Sequence, residues 1–330
     1  MGMNSGMRRL RRWAGAWIAV LGIAGWIGCA QAEDYPTHEI RMVNGYAAGA
    51  GADVTSRIFA KHLEDALGKP VFVENKPGAF TNIGAESVAR SKPDGYSMFF
   101  AGHSTIAMNE FLFKTLPFDP VKDFFNLAPA GKVGFGFAVG PQSPAKSIAE
   151  LTAYLKQKGD KATYGYANTY ALAATELYKQ ITGAPALGVP YKSAGDALNA
   201  VARGEVDFMI YDLGSLTEQE SGGRLRVLAV TTAERSSIRT DLPGMREVGV
   251  PDFDLPAWFG IWLPANPPRP VVDKLANAVR QIWDKPDMVR ALRVQTVEPF
   301  IATPEEFDRF VKAETAKWGR VMAIAKIEPR

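Results

Sequence analysis

The chain has 330 residues, 47% of them apolar and 22% charged, with 38 Lys and Arg against 35 Asp and Glu. That is the composition of an ordinary soluble globular protein, long enough for two domains and a sizeable core. The apparent basicity belongs to a leader: four arginines (Arg8, Arg9, Arg11, Arg12) precede an uncharged apolar stretch over 14–28 and a small-residue cleavage site, Ala30-Gln31-Ala32. This pattern predicts a secretory signal peptide over residues 1–32. Without it the mature chain carries a net charge of −1, which removes the case for binding nucleic acid or a membrane surface. The single cysteine, Cys29, lies inside the leader. The mature protein is therefore expected to have no disulfide and no cysteine metal site, and a lipid anchor at Cys29 is the minor alternative.

Residues 40–43 read as a short buried strand, and Val54, Ile58, Phe59, Leu63, Ala66 and Leu67 recur at helical spacing. Between them Tyr46, Ala47, Ala48, Gly49, Ala50 and Gly51 leave the backbone almost bare. Asp53 sits where the helix begins and can cap or charge-complement its first turn, with Arg57 one turn on. A bare loop feeding a helix N-terminus turns several free N–H groups toward one spot, a natural seat for a carboxylate or phosphate. Three readings compete here: a plain turn, an anion seat in a solute-binding protein, and a dinucleotide turn. Gly49-x-Gly51 and the strand ending at Glu74 favour the last, but Val54 occupies the place of the third glycine.

A strand over 70–74, a helix from about 82 to 90 and a strand over 96–100 follow, each bounded by Gly or Pro turns. This β-loop-α alternation is the grammar of a mostly parallel sheet flanked by helices, in which ligands gather at the carboxyl ends of the strands. The loops at those ends are 46–53, 79–82 and 102–105. A glycine-spaced extended run over 133–139 suits a hinge strand, after which the same grammar resumes. Ser147 with Glu150 opens one helix, Asn168 and Thr169 another, and Ser193 a third that stops at Gly204. A strand ends at Asp212, the aromatic run 251–263 reads as the return crossing, and Thr303-Pro304-Glu305-Glu306 starts the last helix.

The three histidines, His38, His62 and His103, include no metal-spaced pair, and no HExxH, Walker A or GxSxG motif occurs. An exported hydrolase would have to rest on His103 and Ser104 with Asp212.

Read in order, several segments are similar to one family. They are Gly49-Ala50-Gly51-Ala52-Asp53 with Arg57, Val73-Glu74-Asn75-Lys76-Pro77-Gly78-Ala79, Pro93-Asp94-Gly95-Tyr96 and Leu116-Pro117-Phe118-Asp119-Pro120 with Lys122-Asp123-Phe124. Val189-Pro190-Tyr191-Lys192, Leu228-Ala229-Val230-Thr231-Thr232 with Arg235, and Trp258-Phe259-Gly260 with Pro264 continue the series. Together they resemble the Bug-type substrate-binding proteins of tripartite tricarboxylate transporters, over nearly all of the mature chain.

The resemblance implies a periplasmic two-lobed α/β binding protein, without cofactor or metal, that closes over a small organic acid and delivers it to membrane transporter subunits. Lobe 1 would comprise 33–133 and 255–330, and lobe 2 would comprise 134–254. One carboxylate would be held by amides and hydroxyls around Tyr46, Ala48, Gly49, Ala50, Gly51 and Asp53, together with Thr81, Asn82, His103, Ser104 and Thr105. Asn168, Thr169, Tyr191 and Asp212 would face it from the second lobe. An ionised Asp212 would repel a second carboxylate, so it is expected to order water or meet a donor. The chain departs from the family at Ala50, which interrupts a glycine run, and at Phe80, where glycine is common. It departs again at 165–170 and at Phe125-Asn126, which replaces Thr-Pro. Phe80, Tyr166 and Tyr170 suggest a ligand with an apolar or aromatic body.

Overall fold

The computed structural model describes residues 35–329, and the elements below lie in one unit, His38–Arg330. The leader, its cleavage site and Cys29 lie outside the described residues. Strand β1 (Ile40–Asn44), helix α1 (Gly51–Leu67), β2 (Val71–Asn75), α2 (Asn82–Ala89) and β3 (Ser97–Gly102) form the opening β/α run. Two short helices, α3 (His103–Ala107) and α4 (Asn109–Leu112), lead to β4 (Phe124–Val133). One residue, Gly134, then separates β4 from β5 (Phe135–Val139).

The next stretch comprises α5 (Ile148–Lys158), β6 (Thr163–Tyr166), α6 (Thr169–Thr182), β7 (Leu187–Pro190), α7 (Ala194–Arg203), β8 (Phe208–Asp212), α8 (Leu213–Ser221) and β9 (Arg226–Val230). After a long crossing the chain continues through β10 (Ala257–Pro264), α9 (Arg269–Ile282), α10 (Pro286–Val294), β11 (Val297–Glu298) and α11 (Pro304–Ile324).

The strands make two sheets, ordered β11-β4-β10-β3-β1-β2 and β7-β6-β8-β5-β9. Each sheet with its helices is a lobe. Parallel pairing is confined to β2-β1-β3 and to β7-β6-β8. The strands adjoining the two crossings, β4, β5 and β10, pair antiparallel with their neighbours. Each crossing reverses the direction in which the chain meets a sheet, so both sheets are mixed.

Local chemistry sets the helix ends. The Ser147 hydroxyl accepts from Glu150 N–H, the Ser193 hydroxyl from Asp196 N–H and the Asn168 amide oxygen from Ala171 N–H. Thr303 and Glu306 cap each other reciprocally. Helix α1 differs: Ala50 is its N-cap and offers no side-chain acceptor, so Asp53 at the third helical position reaches back to Gly49 N–H at 2.9 Å. Gly68, at φ 69°, closes the same helix with its N–H on Glu64 C=O.

The core of lobe 1 is aromatic, with Phe99, Phe100, Trp258, Trp262 and Trp318 fully buried. Trp258 and Trp262 meet Phe307 of α11 with ring centroids 5.5 and 5.9 Å apart. That contact requires a bare Gly260, where a Cβ would stand 2.6 Å from Trp262 and 2.7 Å from Phe307. Gly260→Ala is expected to cost about 1–3 kcal/mol through overpacking and to lower Tm by several degrees. Thermal unfolding followed by circular dichroism checks this, and an unchanged Tm would contradict the packing of α11 on β10.

Candidate functional site

In lobe 1 the carboxyl ends of β1, β2 and β3 lie at one edge because these strands are parallel. From β1 the chain turns through Tyr46 and the exposed residues Ala47, Ala48 and Gly49 into α1. The Tyr46 hydroxyl accepts from Gly102 N–H at 3.2 Å, tying the first loop to the end of β3. A Cβ on Gly102 would stand 2.6 Å from that hydroxyl, so the contact needs glycine.

After β2, three consecutive non-glycine residues take left-handed backbone: Ala79 (φ 46°), Phe80 (φ 57°) and Thr81 (φ 75°). Such conformations are costly and persist where the surroundings impose them. Here the Thr81 hydroxyl meets that of Thr105, and Phe80 C=O accepts from Asn109 Nδ2 at 2.9 Å.

Lobe 2 presents its own strand ends. Asn168 and Thr169 follow β6, and Asp212 ends the parallel strand β8. Asp212 caps α8 by accepting from Ser215 N–H at 2.9 Å. It also faces lobe 1, since a Cβ on Gly51 would lie 2.8 Å from its Oδ1. Burial raises the Asp212 carboxyl above its ordinary range, only partly offset by the Ser215 N–H and hydroxyl.

The lobes meet directly: Thr169 Oγ1 donates to Asn109 Oδ1 at 2.6 Å. Between them is a closed cavity of about 10 Å³, room for about one water. Tyr46, Gly102, His103, Ser104, Val133, Trp258 and Phe259 from lobe 1 line it with Phe135, Asn168 and Tyr170 from lobe 2. No Lys or Arg is among these lining residues.

His103 is 2% exposed and lies among the rings of Tyr170, Trp258 and Trp318. Its Nδ1 lies 3.3 Å from Trp258 C=O and 3.4 Å from Trp258 N, and its Nε2 has no hydrogen-bond partner among the described residues. Burial lowers the imidazole to about 3, opposed by its hydrogen bond to Trp258 C=O and reinforced by the charge of Lys317. It is neutral near pH 7, a dipole and not a cation.

The structure therefore gathers Tyr46, His103, Ser104 and Asn168 around one cavity. Thr81, Asn82, Thr105 and Thr169 lie in the buried hydrogen-bonded network next to it. Ala48, Gly49, Ala50 and Gly51 lie at the start of α1 and, like Asp212, are not among the lining residues; Gly51 stands opposite Asp212.

Other candidate residues are engaged elsewhere. Asp53 uses one oxygen on Gly49 N–H and Arg57 and the other on Asn75, so it organises the loop. Burial alone would raise its carboxyl, but these partners together hold it below the usual range. Phe80 packs on Phe113, and Tyr166 packs on Tyr164 within lobe 2. Tyr191 lies against Gly165 and the lobe 2 core.

Asn109 carried no motif. Its one signal was an amide beside Glu110 in the otherwise apolar stretch from Ile106 to Leu112. Gly102, Val133, Phe135, Trp258 and Phe259 were also missed as lining residues, because their convergence depends on sheet pairing.

A larger pocket of about 510 Å³ opens elsewhere in lobe 1, between Val121, Phe124, Phe125 and the face of α11 bearing Asp308 and Lys312. It shares no lining residue with the interlobe cavity. The smaller cavity is the better candidate, because side chains from both lobes, Tyr46, His103 and Ser104 with Asn168 and Tyr170, converge on it.

Two mixed α/β sheets, joined by two crossings and meeting over a small, largely aromatic cleft with a few polar groups, define a two-lobed solute-binding protein. Residues 55–327 match the family described as the tripartite tricarboxylate transporter family receptor, and the chain belongs to that family. It is 29% identical to protein BugT of Bordetella pertussis over 96% of this chain and 97% of that protein. A Rhodopseudomonas palustris protein solved with adipate superposes with a TM-score of 0.87 at 30% identity, covering 90% of this chain and all of that one. MatC from Rhodopseudomonas palustris, solved with bound malate, gives 0.81 at 27% identity, with 87% and 99% covered.

The His103 shift has a consequence for stability. The unfolded imidazole protonates near 6.5 and the folded one only near 3. Between these values the unfolded chain binds the extra proton, so stability is present above pH 6.5 and lost as pH falls toward 3. The slope from this group approaches about 1.4 kcal/mol per pH unit. Urea unfolding at pH 7.5, 6.5, 5.5 and 4.5 is expected to show a shallower decline in His103→Gln than in the parent. Identical slopes would mean that His103 titrates normally.

Proposed function

We propose that this chain is a periplasmic receptor, not an enzyme, that captures a small organic carboxylate and presents it to the membrane subunits of a tripartite transporter. One observation carries the reading: a cleft between the lobes, narrowed to room for about one water and lined by neutral groups from both lobes, with no Lys or Arg among its lining residues. A carboxylate there is matched by backbone N–H groups and hydroxyls. The N-terminus of α1 and the donors Thr81, Asn82, Ser104 and Thr105 would hold it from lobe 1. Asn168 would approach from lobe 2, with Thr169 behind it bonded to Asn109, while Asp212 would order water or meet a donor group. The relatives solved with adipate and malate support a carboxylate, and the leader supports export.

The lobes divide, on this reading, into 33–133 with 255–330 and 134–254, with the hinge at Gly134 and in the return crossing. Since the closed cavity admits only about one water, the lobes part to admit a solute.

The hydrolase alternative lacks a relay. His103 Nδ1 is against the Trp258 backbone and its Nε2 has no partner, while Ser104 is bonded to the Tyr46 phenol and Asp212 caps α8. Once the lobes part, Tyr170 and Trp258 would offer apolar surface to a ligand body beside the polar groups.

Residues 33–330 should be screened by thermal shift against aliphatic and aromatic mono- and dicarboxylates, with NAD and NADP included. A ligand at a hundred times its Kd stabilises by roughly 2.7 kcal/mol. One carboxylate recovered intact after raising Tm by several degrees is the expected outcome. Stabilisation by nucleotides alone, or conversion of the bound compound, would overturn the reading.

A further inference from the structure

We infer that Asn109 and Thr169 form a closure clasp that sets how long the receptor holds its ligand, an inference that rests on the receptor reading above. Asn109 follows β3 in lobe 1, and Thr169 opens the helix after β6 in lobe 2. The two are 0% and 1% exposed, and their side chains join the lobes through the 2.6 Å bond from Thr169 Oγ1 to Asn109 Oδ1.

The other end of the Asn109 amide is committed within lobe 1. Its Nδ2 donates to Asn82 Oδ1 at 2.7 Å and to Phe80 C=O at 2.9 Å. These bonds fix which way the amide faces, because its nitrogen has two acceptors on one side and its oxygen is left pointing at lobe 2. They also brace the left-handed run of Ala79, Phe80 and Thr81. Thr169 is the neighbour of Asn168, which lines the cavity. One amide thus connects a strained ligand-side loop of lobe 1 to the helix start that faces it.

Parting the lobes separates Thr169 from Asn109, whereas the bonds from Asn109 to Asn82 and Phe80 lie within lobe 1 and persist. The clasp therefore stabilises the closed form selectively and shifts the equilibrium toward it. A bond made only after encounter changes release and leaves capture alone. Asn109 and Thr169 are positioning residues on this account, acting through the closed state and not through the ligand's own chemistry.

The test uses Thr169→Val, which keeps the branched shape and removes the donor, beside Thr169→Ser, which keeps the hydroxyl. Stopped-flow kinetics with the best carboxylate from the screen are expected to show release about five- to tenfold faster in Thr169→Val. Association should stay within twofold, and Thr169→Ser should behave like the parent. A purely structural role would slow association or weaken both variants alike. Unchanged release in Thr169→Val, or equal effects in the two variants, overturns the clasp.

A second arm needs no ligand. The mature chain has no cysteine, so Asn109→Cys combined with Thr169→Cys reports on closure through its own disulfide. Oxidation is expected to cross-link the pair, and failure to do so rejects the contact. Cross-linking in a protein that binds no carboxylate would remove the functional reading and leave the interlobe contact standing.

Discussion

The hydroxyl of Tyr170 fastens the place where the two lobes are joined. It donates to Thr231 Oγ1 at 2.7 Å or to Leu255 C=O at 2.6 Å, at the two ends of the return crossing. Thr231 N–H in turn donates to Phe135 C=O, and Leu255 N–H to Thr231 C=O. The Tyr170 ring completes the junction, 4.1 Å from Phe135 and 5.3 Å from His103 between centroids. Burial pushes its phenol far above the usual range, so the proton stays on the oxygen and the donor is always available. Because Tyr170 is the second residue of α6, the position of Asn168 and Thr169 at the cleft depends on this junction.

The site inherits its chemistry from that arrangement. Parallel strand ends in each lobe turn helix starts and hydroxyls toward the cleft. The charges at the start of α1 are compensated locally, Arg57 pairing with Asp53. Asp212 is the acid that remains, buried and without an ion pair among the described residues, at the point where the lobes approach. Neutral donors suit a receptor that has to release its cargo, since each contributes modestly and can be regained from water.

Much of this was legible in the sequence. The turn residues marked where the strands end, and Ser147, Ser193 and Thr303 marked helix starts that the structure shows capped by those side chains. The glycine-spaced run around Gly134 gave the first crossing. The antiparallel pairing of β4 and β10 was not legible, because strand direction depends on where the crossings lead and not on local periodicity. Asp53 read as a cap or a ligand contact, yet both its oxygens are filled by groups from the first loop, α1 and β2. Asn109 escaped for a similar reason: its partners Phe80, Asn82 and Thr169 are 27 to 60 residues away, and nothing in its own neighbourhood announces them.

The absence of Lys and Arg from the cavity lining also bears on how ligand and protein find each other. A cleft with a fixed positive charge would draw anions from a distance, and added salt would screen that attraction over about 10 Å. Dipoles act only at contact. The lining therefore contributes short-range fit, and any steering of an anion falls to charges outside it. Contacts of that kind are screened by salt far less than a long-range attraction would be.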